Sequence, residues 1–330
     1  MRRSIALLIL VAGAISTTWL RSERVTPIRN KTLTFVTEPR PSEETLKAHL
    51  GPFHLEKAWQ MELGSWKFGG YSALVPLPDG RMLALSDLGH FLVFAPPGGV
   101  RATPRFGNLL DNPQHNKSDV DVESATRDPE TGQIWLGLEL RNEVVRLNSG
   151  WARTGSARPE IMRHWGKNSG PEAMARLHDG RFVLLSEGPI EWWRSHRHEG
   201  VVFSGDPVEN PEAAKPFVFE GPQGFDPVDM AQLPDGRLLV LMRALVWPFP
   251  QRFAGRIVIG DPAQIRPGKV WKVREVARIA SSLPIDNFEG MAITPAEDGM
   301  LNVWLIADDN NAALQRTLLW KLKVNPADLP

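Results

Sequence analysis

The sequence predicts an all-β fold, and within that class a β-propeller. Five segments each contain an apolar alternating run, a polar turn with a glycine and a second apolar run, which is the composition of a β-hairpin. A period near 50 residues built only from short strands is typical of propeller blades. The turn glycines are spaced 52, 48, 56 and 63 residues apart, at Gly80, Gly132, Gly180, Gly236 and Gly299.

Further strands follow most hairpins, so each unit can supply the three or four strands of a blade. The hairpins span 71–87, 122–139, 171–187, 228–243 and 288–309, and the runs after them are 91–94, 143–147, 200–203, 255–259 and 318–324. Residues 32–63 hold two more strand-like runs, which we interpret as a sixth blade closed by strands from both chain ends. We therefore expect one six-bladed domain over residues 30–330. A pair of irregular β-sandwiches is disfavoured because the spacing continues along the whole chain.

Composition narrows the class of function. Lys plus Arg and Asp plus Glu both number 38, so the net charge is zero and no nucleic-acid partner is predicted. The chain has no Cys, which excludes disulfides, thiolate nucleophiles and Cys-ligated zinc. The 28 Gly and 28 Pro favour many turns and short elements over long helices.

The N-terminus has the order of a secretory signal. Arg2 and Arg3 precede an apolar stretch and then the small polar residues Ser16, Thr17 and Thr18. We interpret residues 1–22 as a signal peptide, with an uncleaved N-terminal anchor as the alternative. The prediction is an exported protein, periplasmic or secreted, with no membrane span beyond this segment.

Two acidic columns run through the repeats when the hairpins are aligned on their turn glycines. The start of the first strand carries Ser72, Glu123, Glu172 and Glu289, while Asp229 falls one place later and needs a bulge or register shift to match. The end of the second strand carries Asp87, Glu139, Glu187, Arg243, and Asp308 with Asp309. Because innermost strands lie around the channel of a propeller, we expect these side chains to converge at one mouth.

Converging carboxylates repel one another unless a cation neutralises them. Oxygen ligands in numbers suit Ca²⁺ or Mg²⁺, and Ca²⁺ is the predicted cofactor. A general acid and base pair is a second use. For any single residue, a turn cap or an ion pair with Arg is an equally good interpretation. Arg141 and Arg243 lie near the second column, where they would orient a phosphate group or pair with a neighbouring carboxylate.

Other chemistries lack their motifs. No G-x-S-x-G elbow supports a serine hydrolase, and no Walker loop, dinucleotide fingerprint, EF-hand or zinc signature is present. His196 and His198 alternate within WWRSHRHEG and could share a strand face as metal ligands, but a solvated basic loop is the favoured interpretation.

Four stretches resemble the phytase-like domain family, the "esterase-like activity of phytase" proteins, which are exported bacterial propellers. They are DVDVESA (119–125), NSGPEAMARLHDGRFVLLSE (168–187), VDMAQLPDGRLLVLMR (228–243), and DNFEGMAI (286–293) followed by LIADDNN (305–311). The resemblance implies a β-propeller with phosphoesterase or esterase activity. It points to Glu123, Glu172, Asp229, Arg243, Glu289, Asp308 and Asn310. Ser72 departs from the pattern, since the other matching blades carry an acid there.

The sequence thus favours an exported, metal-dependent hydrolase acting on a small phosphate ester or related ester at the channel mouth. We expect Glu289, Glu172 and Glu123 to be catalytic and Arg243 and Arg141 to bind substrate. The expected metal ligands are Asp87, Glu123, Glu139, Glu172, Glu187, Asp229, Glu289, Asp308 and Asp309. Two alternatives remain open: a non-catalytic binding propeller with a structural Ca²⁺, and a calcium-dependent lactonase-type propeller.

Overall fold

The computed structural model describes residues 30–65, 67–110, 120–191, 195–248, 251–312 and 314–330. The segment interpreted as a signal peptide or anchor, residues 1–22, lies outside them. Strands in this part of the chain form five sheets of four or five strands. None of its helices combines the length and apolar character needed to cross a bilayer.

Each sheet is one blade, and strands are numbered along the chain. Blade 1 contains β3 (Tyr71–Pro76), β4 (Met82–Ser86), β5 (His90–Phe94) and β6 (Arg105–Asn108). Blade 2 contains β7 (Val122–Arg127), β8 (Ile134–Leu138), β9 (Glu143–Leu147) and β10 (Arg153–Ala157). Blade 3 contains β11 (Pro171–Arg176), β12 (Phe182–Pro189), β13 (Arg197–Phe203) and β14 (Lys215–Glu220), with β18 (Val270–Lys272) added in parallel.

The last two blades complete the circle. Blade 4 contains β15 (Asp226–Gln232), β16 (Leu238–Pro248), β17 (Gln251–Gly260) and β19 (Arg274–Ile279). Blade 5 contains β20 (Asn287–Pro295), β21 (Leu301–Asp308) and β22 (Leu318–Val324), followed outwards by β2 (His54–Gly64) and β1 (Asn30–Thr37). The inner strands β3, β7, β11, β15 and β20 contact their neighbours in a closed ring. The predicted β-propeller is therefore confirmed.

The prediction of a sixth blade is wrong for the described residues, because residues 32–63 join blade 5. Strand β2 pairs antiparallel with β22, from His54 opposite Lys323 to Gln60 opposite Leu318, and β1 covers the outer edge of β2. An unpaired edge on β22 would leave its backbone donors and acceptors exposed. Trp59 of β2 also stacks on Trp304 of β21, with ring centroids 6.4 Å apart. The N-terminal strands thus join the start of the described chain to its C-terminal strands within blade 5, a connection that a blade of their own would not provide.

The hairpin turns form as the sequence predicts. All five turn glycines have positive φ, between 74° and 95°, a conformation that side chains with a Cβ rarely adopt. In the three Asp-Gly-Arg turns the Asp carboxylate accepts the backbone N–H two residues on, as in Asp79 to Arg81 at 3.1 Å. These local bonds fix the register of each hairpin.

Apolar side chains from adjacent blades pack between the sheets and hold the ring together. A short helix, α1 (Glu43–Leu50), joins this core through Leu46 and Leu50, and its N-terminus is capped by Ser42. In the described part of the chain, 3₁₀ turns occur at Glu160–Met162, Pro211–Ala213, Pro262–Gln264 and Pro326–Asp328.

Candidate metal centre at one mouth of the channel

Every inner strand begins with a β-bulge, and the first acidic column is made of bulge residues. The ladder skips one residue between Val122 and Ser124 in blade 2, and the same irregularity recurs in the other four blades. The skipped residues are Ser72, Glu123, Glu172, Val228 and Glu289. Asp229 follows its bulge, so Val228 and not Asp229 occupies the column in blade 4. Bulges re-aim side chains, so the same local irregularity sets the direction of the column residue in every blade.

The residues of the second column also occupy equivalent places. Each of them lies on or directly after the second strand of its blade, opposite the residue two positions before the bulge residue of the inner strand. Arg243 pairs with Asp226 and Asp308 with Asn287, while Glu139 donates its backbone N–H to the Asp121 carbonyl at 2.9 Å. This reveals a third polar column, which alignment of the hairpins alone does not show: Asp121, Asp226 and Asn287. Each of these residues lies two positions before the bulge residue of its blade, and this constant offset is the sequence signal that identifies them.

Two carboxylate triads lie side by side on blades 2 and 3. Asp121, Glu123 and Glu139 form the first, and Glu139, Glu172 and Glu187 form the second. Within each triad, one oxygen from every residue lies within 4.8 Å of the others. Because Glu139 belongs to both, the five side chains form one continuous group. Four of the five are more than nine-tenths buried.

Glycines let these carboxylates come close. A Cβ on Gly170 would lie 2.6 Å from the Glu139 Cα, so any other residue there would push Glu139 away from Glu172. A Cβ on Gly70, which has φ of 67°, would lie 2.8 Å from Asp87 Oδ1 in blade 1. The close approach of the carboxylates therefore depends on glycine at both positions.

Burial and mutual repulsion shift the protonation of this group. Burial raises the pKa of Glu139 to about 7, with the charges of Asp121 and Glu187 adding to it and a hydrogen bond from Glu172 opposing it. Burial and the charges of Glu187, Glu123 and Glu139 raise the pKa of Glu172 well above its ordinary value. At neutral pH the group therefore needs either a bound proton or a bound cation.

Arg243 connects blades 3, 4 and 5. Its Nη2 donates to Glu187 Oε1, and its Nη1 donates to Glu289 Oε1 and, at 3.1 Å, to Asn287 Oδ1. Burial alone would lower the pKa of Arg243, but Glu289, Glu187 and Glu172 raise it above its ordinary value. The guanidinium is thus a fixed internal cation. It is committed to two carboxylates, an arrangement that the sequence analysis left open beside phosphate binding.

The Glu289 carboxylate is held on one side only. Oε1 accepts from both Arg243 and Asn287 Nδ2, the latter at 2.7 Å, and Oε2 has no hydrogen-bond donor among the described residues. Burial raises the pKa of Glu289, which Arg243 and Asn287 lower and the charges of Glu187 and Asp87 raise further. Its free oxygen is a candidate proton acceptor.

Two of the predicted metal ligands are bonded within the protein. Asp229 is 2% exposed, and it accepts the backbone N–H groups of Met230 at 2.8 Å and Met291 at 2.6 Å. Asp309 accepts from the amides of Gly70 and Asn311 and from the Thr317 hydroxyl. Neither lies in a triad of the described residues. Both join neighbouring segments of the ring.

Asp87, Asp308 and Arg141 complete the set of predicted site residues. Asp308 accepts the Asn310 amide at 2.7 Å, and burial together with the charges of Glu289 and Asp87 raises its pKa well above the ordinary value. Asp87 and Asp308 therefore lie near Glu289 on the blade 5 and blade 1 side, outside both triads. Arg141 is half-buried in the turn two residues after Glu139.

His198 is buried behind this mouth, and the expectation of a solvated loop is wrong for it. Its Nδ1 lies 2.7 Å from the Glu187 carbonyl and its Nε2 lies 3.2 Å from the Phe225 carbonyl. Burial lowers the pKa of His198 to about 4, so the ring is neutral at pH 7 and the shorter contact takes its single N–H. His198 therefore fixes the backbone that presents Glu187.

Comparison with known proteins gives a family. The family model described as phytase-like, "esterase-like activity of phytase", matches residues 67–311. No curated protein sequence matches the chain.

The solved structures that superpose on this chain are only distantly similar to it in sequence. Glutaminyl cyclase from Myxococcus xanthus is 12% identical, with a TM-score of 0.44 and 82% of this chain and 97% of that chain covered. A putative oxidoreductase (glucose dehydrogenase) from Thermus thermophilus is 13% identical, with a TM-score of 0.44 and coverage of 77% and 97%. A chain of a nidogen/laminin complex is 10% identical, with a TM-score of 0.43 and coverage of 88% and 96%. At this distance the similarities carry no information about activity.

Proposed function

The chain belongs to the phytase-like family of proteins described by an esterase-like activity of phytase, and from that premise we propose that it is a metal-dependent hydrolase of a phosphate ester or related ester. The observation that carries the proposal is the pair of buried carboxylate triads that share Glu139. Acids buried at this density, with raised pKa values, are arranged for a cation or for proton transfer. The reaction would take place at the acidic mouth of the channel.

The donor set fits a hard divalent cation. Asp121, Glu123, Glu139, Glu172 and Glu187 offer only oxygen ligands, and Ca²⁺ takes six to eight of these. When bound, such a cation would neutralise an anionic ester oxygen and acidify a water molecule. Without a cation, the concentration of carboxylates would repel a phosphate ester from this mouth.

The neighbouring residues provide orientation and proton transfer. Arg243 holds Glu187 and Glu289 at a fixed separation, so the triads on blades 2 and 3 keep a defined position relative to blade 5. Glu289 Oε2 is the proton acceptor that we assign to the attacking water, because its other oxygen is already bonded twice. Glu172 would be a ligand of the cation, which would displace the proton that its raised pKa otherwise retains.

The test is an activity assay on the purified protein with phosphomonoesters, phytate, carboxylic esters and lactones, with EDTA and after Ca²⁺ is added back. We expect EDTA to abolish phosphate or ester release and Ca²⁺ to restore it. Glu289→Gln should lower kcat by about 10²-fold or more at unchanged cation affinity. Glu139→Gln should weaken cation binding itself, because this residue is shared by both triads.

Glu130→Gln is the matched control, since it changes an exposed carboxylate in the turn at the other end of the Glu139 hairpin. It should leave both activity and cation binding unchanged. If Glu139→Gln and Glu172→Gln both retain activity and cation binding, the carboxylate triads have no catalytic role and the proposal fails.

One observation favours a second candidate, a non-catalytic binding propeller with a structural Ca²⁺. Arg243 is already neutralised by two carboxylates, so it offers little to a substrate phosphate. In that case EDTA would lower the melting temperature while none of the four substrate classes is turned over. Turnover of lactones alone would point to a lactonase-type reaction. We also propose export to the periplasm or medium, which N-terminal sequencing of the mature protein would test.

A further inference from the structure

The mouth of the channel opposite the carboxylate triads carries two arginines. At this mouth, the last residue of each inner strand pairs with the first residue of the second strand of the same blade, for example Arg127 with Ile134. The five residues at these equivalent ends are Pro76, Arg127, Arg176, Gln232 and Pro295. Two adjacent blades therefore each place an arginine on this ring, about 13 Å along the strand from the bulge residues Glu123 and Glu172.

A cavity of about 250 Å³ opens at this mouth and reaches into the channel. All five inner strands line it, with Arg127 and Arg176 at the rim and apolar residues such as Leu74, Met230 and Met291 further in. No Asp or Glu is among the described residues that line it. Arg127 also lines a larger neighbouring cavity of about 950 Å³, which gives a route from solvent.

The two arginines at this rim have one carboxylate, Asp128, as their common counter-charge. The Arg127 side chain makes no hydrogen bond or ion pair with another described residue, although it is half-buried. Arg176 reaches Asp128 only at 3.4 Å and the Leu177 carbonyl only at 3.5 Å. The Asp128 carboxylate also accepts from Thr131 Oγ1 at 2.8 Å and from the Glu130 amide at 3.0 Å, so a single negative charge faces two guanidinium groups.

We propose that this cavity binds a small organic anion, with a phosphate or carboxylate end held between Arg127 and Arg176 and an uncharged end in the apolar channel. Guanidinium groups fork onto both kinds of oxyanion, and the Arg127 guanidinium has no hydrogen-bond partner among the described residues that an anion would have to displace. Burial lowers the pKa of Arg127, and the charge of Asp128 opposes the effect. This site is separate from the carboxylate triads and needs no metal.

The test is calorimetric titration of the full chain with inorganic phosphate, and in parallel with acetate and propionate, at constant ionic strength. Metal should be removed with a chelating resin, because a soluble polycarboxylate chelator would itself compete for the arginines. We expect phosphate to bind without added cation, and Arg127→Gln and Arg176→Gln each to weaken it by at least tenfold. Tighter binding of propionate than phosphate would assign the site to carboxylates, and the reverse to phosphates.

Two controls separate this site from the rest of the molecule. Arg81→Gln removes one positive charge from a turn on the same face but outside the cavity, and it should leave binding unchanged. Glu139→Gln disrupts the other mouth and should also leave binding unchanged. The proposal is overturned if metal-free protein binds none of the three anions below about 10 mM, or if Arg81→Gln weakens binding as much as Arg127→Gln. Phosphate binding that requires Ca²⁺ and is lost in Glu139→Gln would place the anion at the carboxylate triads instead.

Discussion

Glu139 of blade 2 and Glu172 of blade 3 bring carboxylate oxygens within 4.8 Å of each other across the boundary between the two blades. Two carboxyl groups can be this close without repulsion only when one of them carries a proton or a cation lies between them. Burial raises the pKa of both, and that of Glu139 to about 7, which favours a retained proton when no cation is bound. A divalent cation at the same place would have to displace it.

Cation binding should therefore release protons and strengthen as pH rises. Below pH 7, where Glu139 is mostly protonated, the apparent Kd for Ca²⁺ should fall by up to about tenfold per pH unit for each proton displaced, and the part due to Glu139 should flatten above pH 8. Calorimetry in two buffers with different ionisation enthalpies measures the number of protons released. An affinity that is constant from pH 6 to 8 would show that the triads are not the binding site.

Without a cation, the folded protein should become less stable as pH rises from about 4.5 to 7. Glu139 has a pKa of about 7, Asp226 of about 7 and Asp286 of about 6, all raised mainly by burial. The folded state then holds protons more tightly than the unfolded chain, so their contribution to stability is complete below the unfolded pKa and is lost as pH passes the folded one. The loss from Glu139 is of the order of a few kcal/mol.

The measurement is the melting temperature of metal-free protein at pH 5 and pH 7.5. We expect a drop of several degrees at the higher pH, of the order that such a free energy produces in a chain of this size. Added Ca²⁺ should raise the melting temperature more at pH 7.5 than at pH 5, since ligand binding adds stability where the ligand competes least with protons. A higher melting temperature at pH 7.5 without cation would contradict the raised pKa values.

Removal of the Arg243 guanidinium should destabilise the acidic mouth strongly. Arg243→Met leaves Glu187 and Glu289 facing each other without their shared cation, and a broken buried ion pair costs about 3–5 kcal/mol. Denaturant unfolding of metal-free protein at pH 7.5 measures this. The double variant Arg243→Met with Glu289→Gln should regain part of the loss, because it removes one of the two stranded charges. A loss below about 1 kcal/mol for the single variant would show that the three groups are not coupled.

The repeat and the hairpin turns could be predicted from the sequence because they are local. The Asp-Gly-Arg turns need positive φ and a carboxylate two residues before an amide, and both requirements lie within four consecutive residues. The number of blades could not be predicted in this way. Whether β2 starts a blade or completes one depends on its pairing with β22, which lies more than 250 residues away in the chain.

The candidate site was likewise predictable from the sequence where it depends on local spacing, and not where it depends on contacts between blades. Spacing from the turn glycine placed Glu123, Glu172 and Glu289 in one column, and their shared bulge confirms that alignment. Asp121 was missed because it precedes the first strand, where a hairpin alignment does not reach. The hydrogen bonds from backbone N–H groups to Asp229 could not be predicted either, since one of them comes from Met291 in the next blade.

A variant of Asp229 distinguishes most clearly between a carboxylate with a structural role and one that binds the metal. Asp229→Asn keeps one acceptor but places an NH₂ group against a backbone N–H, either of Met230 or of Met291, so a buried donor is left unsatisfied. We expect a loss of about 1–3 kcal/mol in the free energy of unfolding and no change in Ca²⁺ affinity or stoichiometry of the protein that remains folded. Glu123→Gln, at a bulge position inside a triad, should show the opposite pattern, with weakened Ca²⁺ binding. If Asp229→Asn instead loses Ca²⁺ at unchanged stability, then Asp229 is a metal ligand. The hydrogen bonds that it accepts from the two backbone N–H groups must then break when the cation binds.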